Sequence, residues 1–183
     1  MEYFYHYQLS VNKVKELKEE IDHVVQSHSD KLDPSVFSIS TQNGDQYHLN
    51  HNCRSKYPKS EQTLKDIIFE CLEQTNLYIA NAWAVYGKKG GYHTIHSHNP
   101  HVTQDICTVT YLEVGDEEKP GGDFYYIMNG EAKHFTPSTG DVLVFPTFLY
   151  HGTYPQTSDI RQTLNVDFTH VEKLTDNYWN LRN

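Results

Sequence analysis

The sequence predicts a mainly β fold with flanking helices, of the α+β kind, on three observations. From residue 77 onward, short runs rich in Tyr, Val, Thr, Ile and Phe recur between glycines and prolines. Before that point, two segments carry apolar residues at helical spacing. No internal repeat, low-complexity tract or linker interrupts the 183 residues, so one domain is expected over 1–183. Eight short strands with turn signals suit a sandwich or jelly roll, and the two N-terminal helices are expected to cover one outer sheet face.

Residues 11–28 set Val11, Val14, Leu17, Ile21, Val24 and Val25 on one stripe, with Ser10 placed to cap the first turn. A second amphipathic helix follows Ser60, with Leu64, Ile67, Ile68, Cys71 and Leu72 on one face, and ends before Asn76. Between them, residues 35–50 read as a short hairpin around Asn43-Gly44, a dipeptide that tolerates positive φ. Residues 1–76 thus read as helical and hairpin support for a β core at 77–169. Its strands are expected at 77–86, 92–98, 106–114, 122–128, 131–136, 141–146, 149–154 and 160–169.

The last of these strands places Arg161, Thr163, Asn165 and Asp167 on one face and Leu164, Val166 and Phe168 on the other. A polar row headed by an arginine either lines a wet pocket or faces solvent, and the alternation alone does not decide.

A net charge of −9 repels a phosphate backbone and argues against nucleic acid as a partner. No run of about 18 apolar residues is present and the first ten residues lack a signal-peptide pattern, so no membrane span is expected and the default location is the cytoplasm. Cys53, Cys71 and Cys107 form neither an even framework nor a CxxC pair and read as reduced thiols.

Twelve histidines are many for this length, and His93, His96, His98 and His101 fall within nine consecutive residues. His96-Ser97-His98 ends a predicted strand, where i, i+2 spacing aims both imidazoles to one side. His151 follows the apolar strand at 142–145 and Pro146 as a third candidate ligand. Three neutral nitrogens with open positions suit Fe, Zn, Cu or Ni. His93, of opposite parity to His96, and His101, beyond Pro100, read as bystanders or as groups behind the ligands. Asn81 and Trp83 read as structural, and Gly90-Gly91 and Gly121-Gly122 as turns that can also act as lids.

The order of these pieces resembles the 2-oxoglutarate and Fe(II)-dependent dioxygenases, above all the prolyl-hydroxylase-like group, over roughly residues 79–169. The pieces are HSH at 96–98, TYL at 110–112, PGGDF at 120–124, PSTGDVLVFP at 137–146, YHGTYP at 150–155 and RQTLNVDF at 161–168. The resemblance implies a double-stranded β-helix (jelly roll, cupin-like) that binds Fe(II) and takes 2-oxoglutarate as cosubstrate. It implies hydroxylation of a small molecule or protein side chain with O2, releasing succinate and CO2.

Position by position, His96 and His151 match the family's two histidine ligands. Arg161 matches the residue that grips the far carboxylate of 2-oxoglutarate, and Thr163 and Tyr111 match its hydrogen-bonding helpers. The sequence departs from the family at His98, where a ligating carboxylate usually stands, in the manner of a phage and bacterial branch with HxH. Either His98 is the third ligand, or Asp105 approaches the ion with His98 behind it. Two rival readings stay open: a cupin-like three-histidine dioxygenase or isomerase without 2-oxoglutarate, and a jelly-roll binding module that turns nothing over.

Overall fold

A computed structural model describes residues 4–28, 30–31, 41–49, 56–98, 105–115 and 121–170. His101, Cys53 and part of the expected hairpin at 35–50 lie outside them. The described chain runs β1 (Tyr5–Gln8), α1 (Val11–His28), β2 (Asp30–Lys31), β3 (Thr41–His48), α2 (Pro58–Leu72) and β4 (Tyr78–His96). It continues with β5 (Ile106–Val114), β6 (Phe124–Met128), β7 (Glu131–Phe135), β8 (Asp141–Pro146), β9 (His151–Thr153) and β10 (Arg161–Thr169). No helix among the described residues is long and apolar enough to cross a membrane.

All described strand pairs are antiparallel, in the order β1-β8-β5-β10-β4-β9-β6-β7, with β3 beside β4 and β2 beside β3. The two strands expected at 77–86 and 92–98 are one strand, β4. Its 19 residues pair with β10 from Tyr78 to Gly87 and with β9 at His93 and His96. One strand therefore passes from one half of the sheet to the other, and the sheet curls into a jelly-roll-like half barrel.

Asn43-Gly44 is not a hairpin turn. It lies within β3, where the pairing jumps from Gln42–Tyr92 to Gly44–Gly87, so residues 88–91 of β4 bulge outward opposite Asn43. Asn43 takes φ +51° and donates its side-chain amide to the Lys89 carbonyl at 2.7 Å. The same positive-φ tolerance that favours a tight turn here serves a bulge. Strand β1 was not expected from its aromatic, mixed sequence; it covers the outer edge of β8, where His6 Nε2 lies 2.7 Å from Asp141.

Alternation sorts the side chains into two cores. Leu164, Val166 and Phe168 of β10, Ala82 and Ala84 of β4, and Val142 and Val144 of β8 pack with Leu17, Ile21, Leu64 and Ile68 of the helices. Cys107, Val109, Tyr111, Phe124, Leu143 and Phe145 point the other way, into the roll. Each valine, leucine, isoleucine and phenylalanine among them contributes about 1.5–3 kcal/mol by leaving water. The helix-facing cluster fixes the outer face of β10 and so turns its polar row inward.

A polar clamp reinforces this face: Asp22 of α1 accepts hydrogen bonds from Tyr86 of β4 and Gln162 of β10, each at 2.7 Å. Helix α1 begins where Ser10 predicts, with Lys13 N–H 3.4 Å from Ser10 Oγ. Helix α2 starts at Pro58, before the expected Ser60, and Tyr57 supplies no side-chain cap. Glu20 of α1 does so instead, accepting from the backbone amides of Lys59 (3.0 Å) and Ser60 (2.8 Å) and from the Ser60 hydroxyl (2.6 Å). Since a cap contributes about 1 kcal/mol, Glu20→Ala is expected to destabilise the protein by roughly 1–2 kcal/mol, read as a lower urea midpoint at unchanged slope.

Candidate active site

The end of β4 and the start of β9 bring three imidazoles together. Possible ligand atoms of His96, His98 and His151 all lie within 4.8 Å of one another. His96 Nε2 and His98 Nε2 are 3.2 Å apart, and the ring centroids of His96 and His151 are 4.4 Å apart. His96 stands opposite His151 in the β4–β9 pairing, so the register itself sets these two side by side.

Hydrogen bonds fix the tautomers. Nδ1 of His96 lies 2.7 Å from the Thr94 carbonyl and Nδ1 of His151 lies 2.8 Å from the Leu149 carbonyl. Nδ1 of His98 lies 2.7 Å from Asp167 Oδ1. Carbonyls and carboxylates only accept, so each Nδ1 carries the proton and each Nε2 presents a lone pair. Two such lone pairs facing each other at 3.2 Å repel unless a cation sits between them. Two nitrogens about 2.1 Å from one ion and at a right angle stand roughly 3 Å apart, so the spacing suits a first-row metal.

Burial keeps the His96 and His151 rings neutral. Burial first, and neighbouring His98 second, pushes His96 down to about 4 from an ordinary 6.5. His151 is driven well below its ordinary value by the same causes. Among the described residues, Asp105 belongs neither to the group of His96, His98 and His151 nor to the other set placed to share an ion, His98, Cys107 and Asp167. Its carbonyl accepts from the Thr147 amide, tying the start of β5 to the end of β8.

His93, expected to be a bystander, lines the cavity with the other three, its ring stacked 6.4 Å from that of His96. The parity argument fails because β4 carries one residue more than β9 between the His93–Thr153 and His96–His151 pairs. Such a bulge turns the strand, so residues three apart share a face. A single sequence carries no mark of it. Burial, then His96 and Arg161, push His93 down to about 3.

The imidazoles open into a pocket of about 420 Å³, its solvent-filled mouth included, that β10 lines with Arg161, Thr163 and Asn165. The polar row read from the sequence therefore faces inward. Trp83, expected to be structural, also lines the cavity and sets its ring edge-on to His98 at 5.1 Å.

At the far side Arg161 is buried, with its guanidinium 5.8 Å from the Tyr111 ring centroid. Nη1 donates to the Gly122 carbonyl at 2.8 Å and Nη2 to the Gly121 carbonyl at 3.2 Å. Arg161 Nε and the Tyr111 hydroxyl are buried without a hydrogen-bond partner. Two orphaned donors beside a buried cation cost energy in isolation and suit an anionic oxygen ligand. Thr163 Oγ1 accepts from Asn165 Nδ2 at 3.1 Å, so its hydroxyl proton is left to donate.

Gly121 and Gly122 are part of the site rather than punctuation. Gly122 has φ +73°, and a Cβ there would collide with the Arg161 guanidinium. The turn is thus a close approach of backbone to side chain, which only glycine permits.

The chain matches no family model and no curated protein by sequence. Its fold is nevertheless that of known oxygenases. It resembles HygX from Streptomyces hygroscopicus, solved with nickel and 2-oxoglutarate bound, at TM-score 0.68 and 13% identity, covering 93% of this chain and 84% of that one. A Pseudomonas putida prolyl-4-hydroxylase gives 0.64 and 14% over 92% and 93% of the two chains. A Trichoplax adhaerens prolyl hydroxylase, in complex with a hypoxia-inducible-factor peptide fragment, gives 0.65 and 14% over 91% and 83%.

The depressed imidazoles make a pH prediction. An unfolded chain takes up protons below about pH 6.5 that the fold refuses until pH 4 at His96 and 3 at His93. Stability of the metal-free protein is therefore full above pH 6.5 and falls as pH drops toward 4, by up to about 1.4 kcal/mol per pH unit for each such group. Urea midpoints measured with chelator at pH 7.5 and 5 check this, and His93→Gln is expected to flatten the slope.

Proposed function

We propose that this chain is a single-domain 2-oxoglutarate- and Fe(II)-dependent dioxygenase that hydroxylates its substrate. His96, His98 and His151 are its metal ligands, and Arg161, Thr163 and Tyr111 hold the cosubstrate. One observation carries the reading: a single cavity has three converging imidazoles at one side and a buried arginine with orphaned donors around it at the other.

Bound Fe(II) and 2-oxoglutarate supply the activation of O2, with release of succinate and CO2 and hydroxylation of a C–H bond. The chain's own residues bind and orient. The Arg161 guanidinium, the Tyr111 hydroxyl and the Thr163 hydroxyl together offer an anion donors from several directions. Phe124, Val109 and Trp83 line the same space and shield it from water. The substrate is a small molecule or a protein side chain, the classes represented by hygromycin B on HygX and by the peptide on the Trichoplax adhaerens enzyme.

The three-histidine set also favours a second reading, a cupin-like dioxygenase or isomerase without 2-oxoglutarate. Burying Arg161 in the cavity wall has no purpose there, because a buried cation costs energy unless an anion uses it.

Succinate formation in the presence of Fe(II), 2-oxoglutarate and O2, measured with and without candidate substrates, tests the proposal, and its absence under both conditions would count against turnover. Arg161→Ala is expected to raise the apparent KM for 2-oxoglutarate about 10–100-fold, the loss of one or two charge-assisted hydrogen bonds, while metal binding survives. Gly122→Ala is expected to act in the same direction by displacing the guanidinium, and a KM unchanged in both variants would mean that Arg161 does not hold the cosubstrate.

A further inference from the structure

Resting on the metal-site reading above, we propose that Asp167 is a positioning residue that supplies, through the His98 ring, the negative charge that the ligand set lacks. Where the resembling family has a carboxylate on the metal, this chain has an imidazole with a carboxylate directly behind it.

Asp167 sits on β10, buried, opposite Cys107 of β5 and Asn81 of β4. Its Oδ1 lies 2.7 Å from His98 Nδ1. His96 and His151 hand their Nδ1 protons to backbone carbonyls instead. The three rings are thus not equivalent, and only His98 has an anion as its acceptor. The partner across from Asp167 on β5, Cys107, is itself fully buried, so the carboxylate stands on a buried part of the sheet.

A neutral third ligand leaves a divalent site one unit more positive than two histidines and a carboxylate would. A carboxylate hydrogen-bonded to the far nitrogen pulls on the Nδ1 proton, pushes electron density toward Nε2 and strengthens the ring as a donor. It also fixes the ring's rotation. The charge has moved one imidazole outward from the ion without leaving the site.

Mn(II) binding to the metal-free protein, followed by calorimetry and by Trp83 fluorescence, tests this without turnover. Asp167→Asn keeps the shape and removes the charge, and is expected to weaken Mn(II) binding about 10–100-fold. In a His98→Asp background the ring that transmits the effect is gone, so the same change is expected to cost less than about threefold or to reverse sign. An equal penalty in both backgrounds, or none in the native one, would overturn the inference while leaving the metal site intact.

Failure of the native protein to bind Mn(II), or native-like binding by His151→Ala, would sink the metal site and this inference together. Should Asp167→Asn not fold, nitrogen-detected NMR of the native protein with Zn(II) decides the matter. One histidine Nδ1–H resonance is expected well downfield of the other two; three bunched together would refute the carboxylate's role.

Discussion

Three imidazoles crowded into a buried cavity can all stay neutral and all present a lone pair only if each has somewhere to put its other proton. Thr94, Leu149 and Asp167 provide those acceptors, and they come from three different places: the strand that carries His96, the turn before β9, and the inner face of β10. Without them the tautomers would be undecided and the rings would rotate to satisfy themselves. The acceptors are therefore what converts a cluster of histidines into a directed set of donors. Because two of them are backbone carbonyls, the site depends on the fold holding its register more than on any further side chain.

That register is held from outside. The apolar face of β10 is pinned by the helices, the Asp22 clamp crosses from α1 to β4 and β10, and Glu20 locks α2 against α1. The polar face has no freedom left but to point into the roll. The helices contribute nothing to the cavity wall, yet they decide which way Arg161 and Asp167 face. Stability and site geometry are in this sense one property, since a slip of β10 by one residue would expose the greasy row to the cavity and the arginine to the helices.

Much of this was legible in the order of residues. The helical stripe at 11–28, the polar and greasy faces of 161–168 and the i, i+2 histidine pair all follow from periodicity, because burial on one face leaves a period in the chain. Less legible was anything that depends on one strand meeting another. Asn43-Gly44 reads equally as turn or bulge until its partner is seen; β1 is too short to show a period. Asp167 looked like the fourth member of a polar row, and only the fold puts His98 in front of it. Gly122 carried a signal that could have been used, since a second glycine beside a predicted strand often marks a close backbone approach.

Strand β4 holds one residue more than its partner between His93 and His96. A regular strand can show a cavity only every second side chain, so its capacity to furnish a wall is half its length. By spending one residue on a kink, β4 and the two residues after it present positions 93, 96 and 98 inward, where strict alternation back from His96 would present Thr94 instead of His93. Pairing the same residues without the kink would turn the ring of His93 outward, whereas deleting 94 or 95 would restore the regular rhythm with that ring still inward. The wall's chemistry is thus written in the chain's length at that point as much as in the identity of its residues.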